Sequence, residues 1–150
     1  MSGLATKETN RSVDHFIDSI ENPIIKKDSE ILLSIMEEIT QAKPKVWGNE
    51  RIPDFIIGFG KYTYERKGNN NRFEWFQVGF APRNNQLTIH LNCEFLQEDY
   101  LIHELGKFKA GKSCLYIRKL ADINLDFLIQ LLDRSILYRE EQAKTLEKND

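Results

Sequence analysis

VGFAPRNNQLTIHLN occupies residues 78–92 and predicts a β-hairpin. Its second half, QLTIHLN, alternates apolar and polar side chains, which is the pattern of a strand with one buried face. PRNN at 82–85 supplies the turn residues. The residues expected to point inward are Leu87, Ile89 and Leu91. The hairpin predicts an antiparallel sheet with one face open to solvent or to a ligand.

The residues on either side of this hairpin extend the predicted sheet. RFEWFQVGF at 72–80 is apolar on both faces, with Phe76, Val78 and Phe80 together on one of them. This predicts a central strand. DFIIGFGKYTYER at 54–66 predicts one bent strand, because it combines aromatic and β-branched residues with closely spaced glycines. GNNN at 68–71 is a predicted turn, and SCLYIRKL at 113–120 a last strand.

Amphipathic helical patterns flank the strands. The first helix is predicted to begin after Ser12, its N-cap. The second helix is predicted to begin after Asp28 and to be stopped by Pro44. A short helix is predicted at 96–105, and a long final helix is predicted to be capped by Asp122 or Asn124. The predicted buried stripe of the final helix is Leu125, Leu128, Ile129, Leu132 and Ile136.

The order of these elements predicts an α+β single domain, with an antiparallel β-sheet packed against N-terminal and C-terminal helices. The chain of 150 residues has 41% apolar and 29% charged residues, which is typical of an ordinary globular domain. We place the domain at residues 11–140. Polar tails are predicted at 1–10 and 141–150, the second as a solvated helix end.

Composition also argues against several classes of function. The net charge of −2 disfavours strong non-specific binding to nucleic acids. No window approaches the length of a membrane helix, so we expect a cytoplasmic protein that does not bind membranes. In a reducing cytosol the two cysteines, Cys93 and Cys114, are expected to be free thiols. No cofactor is expected.

GKFKAGKS at 106–113 matches the P-loop pattern GxxxxGK[ST] at every fixed position. A working P-loop follows a strand and opens a helix, because the helix N-terminus and the loop amides together hold the phosphates. Here the predicted order is reversed, with helical character before the loop and a strand after it. We therefore expect no nucleotide-binding P-loop.

The same segment places Lys107, Lys109 and Lys112 close together, and Arg83 lies on another strand connection that could approach them. Arginine offers a planar fork for phosphate or carboxylate, and lysines add point charge. These residues therefore form a candidate anion site. The alternative is a set of solvated surface charges.

The sequence gives weaker evidence for metal binding or thiol chemistry than for the candidate anion site. The histidines are scattered singly and show no metal-ligand spacing with the cysteines, so no metal site is expected. Cys114 with a distant histidine could imitate a thiol and base pair. Its position within a predicted strand favours a packed thiol instead.

Three blocks of the sequence resemble the YdhG-like family of small, mostly bacterial proteins with a domain of unknown function. The blocks are IPDFIIGFGKYTYE, VGFAPRNNQLTIHLN and LGKFKAGKSCLYIRKLADINL, within about residues 43–136. The resemblance implies an antiparallel sheet packed with helices, in a loosely frataxin-like layout, and no established catalytic mechanism. Some relatives carry a frataxin-like iron-chaperone label.

Three functional hypotheses follow. The first is a non-enzymatic binding domain for a small anionic ligand or an acidic partner. Its predicted contacts are Arg83, Lys107 and Lys112, with Trp47 and Tyr62 lining the site. The second is an intracellular iron chaperone that uses Asp14, Asp18 and Glu21 of the first helix. The third is an enzyme on a small phosphorylated metabolite, with His103 or Glu104 as acid or base near Lys112.

Overall fold

The computed structural model describes residues 7–49, 52–65, 72–91, 104–111 and 114–148. Within these ranges the strands are β1 (Lys7–Glu8), β2 (Pro44–Asn49), β3 (Ile52–Phe59), β4 (Tyr62–Glu65), β5 (Arg72–Trp75), β6 (Val78–Pro82), β7 (Leu87–His90), β8 (Lys109–Ala110) and β9 (Cys114–Ile117). The helices are α1 (Val13–Asp18), α2 (Pro23–Thr40) and α3 (Leu125–Lys148), and a 3₁₀ turn spans Leu120–Asp122.

Seven strands form one sheet in the order β1-β2-β3-β6-β7-β9-β8, and every neighbouring pair is antiparallel. β4 and β5 pair with each other in a separate hairpin. The predicted hairpin is present as β6 and β7, closed by a hydrogen bond from the N–H of Arg83 to the carbonyl oxygen of Gln86. The predicted α+β class is confirmed.

Each of the two long predicted strands is divided. Gly60, with a φ of 73°, separates β3 in the main sheet from β4 in the small hairpin. Phe76 and Gln77 likewise separate β5 from β6. The prediction that Phe76 shares a face with Val78 and Phe80 was therefore wrong, since the two residues between the strands interrupt the alternation.

The helices cover one face of the main sheet, which we call the helical face. Its buried side chains from the strands are Ile57, Phe59, Val78, Phe80, Leu87, Ile89, Leu91, Leu115 and Ile117. The helices contribute Ile25, Leu32 and Met36 from α2, and Leu128, Leu131, Leu132 and Ile136 from α3. The inward positions Leu87, Ile89 and Leu91 were predicted, and they are fully buried.

The other face of the sheet, which we call the aromatic face, has a smaller core of Trp47, Ile56, Phe76 and Ala81. Phe76 lies directly on Gly58 and Gly79, where added Cβ atoms would approach its ring to 2.7 Å and 3.1 Å. Any other residue at Gly58 would meet the Phe76 ring, so the glycine leaves room for the phenyl group.

Capping residues fix where the helices begin. Ser12 caps α1 as predicted, since its side chain accepts from the N–H of His15. α2 begins earlier than predicted, because Asn22 is its N-cap and Pro23 its first residue. Asp28 lies inside α2, where its carboxylate accepts from the N–H of Leu120 at 2.9 Å. Asn124 caps α3, accepting from the N–H of Phe127.

Some elements were not predicted. Lys7 and Glu8, within the predicted N-terminal tail, pair with β2, and β2 itself was not anticipated. α3 continues through the predicted C-terminal tail to Lys148. The predicted turn at 68–71 and most of the predicted helix at 96–105 lie outside the described residues. Among the helices described, none has both the length and the apolar character needed to cross a membrane.

Candidate functional site

The glycine-rich segment joins the main sheet to the start of α3. Gly106 forms an antiparallel bridge with Ile123, and the N–H of Lys107 donates to the carbonyl oxygen of Asp122 at 3.1 Å. Gly106 has a φ of 118°, and a Cβ there would lie 2.5 Å from that carbonyl oxygen. Its role is therefore a close backbone contact in a left-handed conformation.

The segment does not have P-loop architecture. β8 occupies Lys109–Ala110, and strand β9 begins at Cys114, the residue that follows the motif. A strand therefore stands where a P-loop requires the start of a helix. The strand after the motif was predicted from the sequence, whereas most of the predicted helix before it lies outside the described residues.

A cleft of about 830 Å³ opens at the end of the sheet beside this segment. It lies where the turn between β6 and β7, the start of α2 and the end of β9 meet. The residues that line it are Asn22, Ile24, Ile25, Asn85, Gln86, Lys107, Phe108, Lys109, Tyr116, Ile117, Arg118, Lys119 and Asp122. Its size falls within the range of about 300–1,000 Å³ that is usual for small-molecule sites.

Positive charge dominates the lining of this cleft. Among the described residues that line the cleft, four are cationic, Lys107, Lys109, Arg118 and Lys119, and one is acidic, Asp122. All four cations are exposed. None of the ion pairs formed among the described residues involves them. Like charges gathered around a concave surface raise the local potential and attract anions.

The fold brings these cations together from different parts of the chain. Lys109 lies directly opposite Tyr116 in the pairing of β8 with β9. Arg118 and Lys119 follow β9 immediately and precede the 3₁₀ turn. Lys107 is held beside them by its backbone hydrogen bond to Asp122.

The start of α2 forms another wall. The Asn22 side chain donates to the carbonyl oxygen of Asn84 at 3.1 Å, which ties the helix start to the turn between β6 and β7. The first turn of α2 contains no acidic residue. The partial positive charge of the helix N-terminus therefore adds to that of the cations.

Apolar surface accompanies the charges. Ile24 is 54% exposed, and it lines the cleft together with Phe108 and Tyr116. The cleft thus offers cations for an anionic group and apolar side chains for a hydrophobic one.

The predicted site residues separate in the structure. Lys107 lines the cleft, and Lys112 lies outside the described residues. Arg83 belongs to the same turn as the cleft residues Asn85 and Gln86, but one of its guanidinium nitrogens donates to the carbonyl oxygen of Phe55 at 3.2 Å. That contact directs Arg83 towards β3, and it does not line the cleft.

Trp47 and Tyr62 lie elsewhere, which corrects the prediction that they line the same site as Lys107. Trp47 is only 2% exposed, and its ring packs edge-on against Trp75 and Phe76 on the aromatic face. The Tyr62 ring lies 5.1 Å from the guanidinium carbon of Arg139. Trp47 therefore belongs to the core of the aromatic face, and Tyr62 is half-buried.

Sequence reasoning missed Arg118, Lys119, Phe108 and the start of α2 as parts of this cleft. The adjacent pair of cations that follows the strand CLYI was a usable signal, because a residue just beyond a strand lies at the sheet end. No local sequence pattern indicated that the start of α2 lines the cleft, since this depends on how the helix packs across the sheet.

The acidic residues of α1 give no metal centre in the structure. α1 has six residues, and the Asp18 carboxylate lies 3.9 Å from the ammonium group of Lys26. Over the described ranges, no group of three or more His, Cys, Asp and Glu side chains is placed to hold a metal ion. Of the two proposed acid or base residues, Glu104 is exposed and His103 lies outside the described residues.

Comparison with known protein families, with curated proteins and with solved structures finds no match to this chain. The site must therefore be interpreted from its own chemistry.

Proposed function

We propose that this protein is a non-enzymatic binding domain that holds a small anionic ligand in the cleft at the end of its sheet. The observation that carries the proposal is the lining of that cleft, where four cations and one acid surround a volume of about 830 Å³. Both the charge and the concave shape favour a compact anion.

The lining also suggests what kind of anion binds. Arg118 can bind a phosphate or carboxylate through two parallel hydrogen bonds, and the lysines contribute charge with less demand on geometry. Ile24 and Phe108 offer contacts to an apolar or aromatic group. We therefore propose an organic phosphate or carboxylate with an apolar part. A reducing cytosol is the compartment that fits the free thiol of Cys114.

Calorimetry and thermal unfolding test the proposal with simple probes. Phenyl phosphate supplies an anion and a ring, inorganic phosphate the anion alone, and benzylamine a ring with the opposite charge. We expect affinity to fall in that order. At a concentration near 100 times Kd, phenyl phosphate should raise Tm by roughly 5 to 10 °C.

Variants in which neutral glutamine replaces lysine show where phenyl phosphate binds. Lys107→Gln with Lys119→Gln should weaken phenyl phosphate binding at least about tenfold, because both cations line the cleft. The matched control is Lys43→Gln with Lys45→Gln, two exposed lysines before and within β2, which three strands separate from β9. Equal losses in the two double variants, or benzylamine binding as well as phenyl phosphate, would defeat the proposal.

An acidic protein surface is the competing occupant of the same cleft, because its carboxylates would meet the same cations. A short acidic peptide such as hexaglutamate serves as the probe. If the peptide binds and phenyl phosphate does not, the partner is a protein surface and the small-ligand proposal fails.

A further inference from the structure

The pairing of β7 with β9 places a histidine directly opposite a cysteine. His90 and Cys114 are register partners, and directly opposite residues of antiparallel strands have Cβ atoms about 4.5–5.5 Å apart on the same face. Leu115 and Ile117 are buried on the helical face, so His90 and Cys114 lie on the aromatic face. Both are half-buried. The sequence alone left Cys114 with no histidine close enough to act on it.

Tyr116 connects this pair to the cationic cleft. The thiol of Cys114 donates to the Tyr116 hydroxyl at 3.1 Å, and Tyr116 itself lines the cleft. Lys109, one of the four cations, lies directly opposite Tyr116. The thiol is therefore one side chain away from a surface that attracts anions.

Gly111 leaves space beside the thiol. A Cβ at this position would lie 3.3 Å from the Tyr116 hydroxyl and 3.5 Å from the Cys114 sulfur. Because glycine has no side chain, residue 111 itself does not crowd the Cys114 thiol. His90 is oriented on its other side by Phe76, whose ring meets the imidazole edge-on at 5.7 Å.

We propose that Cys114 is a thiol–disulfide exchange site for small anionic disulfides, with His90 as the acceptor of the thiol proton. The preference for anions rests on the proposed function of the cleft. The exchange itself rests on the arrangement of Cys114, His90 and Tyr116.

The exchange step needs no reactant beyond the disulfide. His90 takes the proton of Cys114, and the resulting thiolate attacks one sulfur of the disulfide. A new S–S bond forms between Cys114 and that sulfur while the original S–S bond breaks. The second sulfur leaves with the bonding electron pair and takes up a proton from the imidazolium. Cys114 is thereby oxidised to a mixed disulfide, and half of the small disulfide is reduced to a thiol.

Two aromatic disulfides of different charge test the proposal on the full chain carrying Cys93→Ser. Dithiobis(nitrobenzoate) is an anion and dithiodipyridine is neutral, and each releases a coloured thiol. The rate constant for the anionic reagent is divided by that for the neutral reagent. This ratio is compared with the same ratio for mercaptoethanol at low ionic strength. We expect the protein's ratio to be higher by at least about tenfold, because the cleft concentrates the anion.

Three variants assign the roles. Cys114→Ser should abolish the reaction with both reagents. Lys107→Gln with Lys119→Gln should lower the rate constant for the anionic reagent about tenfold relative to that for the neutral reagent. His90→Gln should slow both reagents alike near neutral pH, and its deficit should shrink at alkaline pH, where thiols ionise without a base. His15→Gln on α1 is the control for the histidine change.

The results of these experiments can reject the exchange site at Cys114 without rejecting the proposed function of the cleft. If Cys114 in the folded protein reacts with dithiodipyridine more slowly than in the urea-unfolded chain, the exchange site does not exist, whatever phenyl phosphate does. If it reacts fast but shows no preference for the anionic reagent, the assignment to anionic disulfides is overturned. A pH-independent deficit in His90→Gln would remove His90 as proton acceptor.

Discussion

The backbone N–H of Lys107 donates to the backbone carbonyl oxygen of Asp122 at 3.1 Å. This bond joins the segment that contains Lys107 and leads into β8 to the 3₁₀ turn that follows Arg118 and Lys119. It therefore holds the cations of the cleft in one place. Gly106 permits the contact, since its φ of 118° and missing Cβ let the two backbones meet.

Gly106→Ala is expected to lower the free energy of unfolding by about 2 kcal/mol or more, because alanine is strained at this φ and its Cβ would meet the Asp122 carbonyl. Lys107→Ala, one residue along, should change it by no more than about 0.5 kcal/mol. Urea unfolding measures both. Equal stability of the two variants would show that this contact does not depend on glycine.

Arg139→Met is expected to cost about 2–4 kcal/mol of stability, because it leaves buried carbonyl groups without a donor. Arg139 is 3% exposed and donates to the carbonyl oxygens of Phe76 and Gln77, between β5 and β6. Gln130→Met on the same helix is the control, since Gln130 is exposed and should tolerate the change. Similar urea midpoints for the two variants would contradict a structural role for Arg139.

Gly58→Ala is expected to destabilise the protein by about 1–3 kcal/mol, because the new methyl group would lie 2.7 Å from the Phe76 ring. Phe76→Leu removes part of that ring and has its own cost. If the clash is the cause, the double variant should lose less than the sum of the single losses. If the losses of unfolding free energy in the two single variants are strictly additive, the clash with the Phe76 ring is not the cause.

Lys61 gives a prediction on pH. Its ammonium group lies 3.0 Å from the Glu8 carboxylate and 3.9 Å from that of Glu74. The hydrogen bond that Lys61 donates to Glu8, and then the charge of Glu8, raise the pKa of Lys61 above 10.5. Because the folded pKa exceeds the unfolded one, the stabilisation is complete below pH 10.5 and is lost as the pH rises through the folded value.

An NMR titration of the Lys61 side chain checks this shift. Glu8→Gln should lower the pKa of Lys61, and Glu74→Gln should lower it less, because the Glu8 interaction is the larger cause. Unchanged titration in Glu8→Gln would mean that the link between β1 and the segment after β3 does not form in solution.

The fold could be predicted where the signal was local. The alternation of Leu87, Ile89 and Leu91 indicated the buried face of β7, and Ser12 indicated the start of α1. Prediction failed where the outcome depended on distant contacts. Asp28 resembles a helix cap in sequence, yet it accepts from the N–H of Leu120, 92 positions away.

The residues of the candidate site could also be predicted only where the sequence signal was local. Lys107 and Lys109 could be identified because the segment 106–113 already gathers charge between glycines. Arg83 and Trp47 could not be judged, because their partners Phe55 and Phe76 are distant from them in the sequence. The contribution of Ile24 to the cleft depends on where α2 crosses the sheet, which no neighbouring residue specifies.

The central claim is that anions bind at the end of the sheet, and an NMR titration of isotope-labelled protein with phenyl phosphate tests it most directly. We predict saturable shifts of the backbone amides of Lys107, Phe108, Lys109, Arg118 and Lys119, with those of Lys43 and Lys45 unchanged. Shifts confined to other surfaces, or no saturable shift at these five amides, would contradict the account.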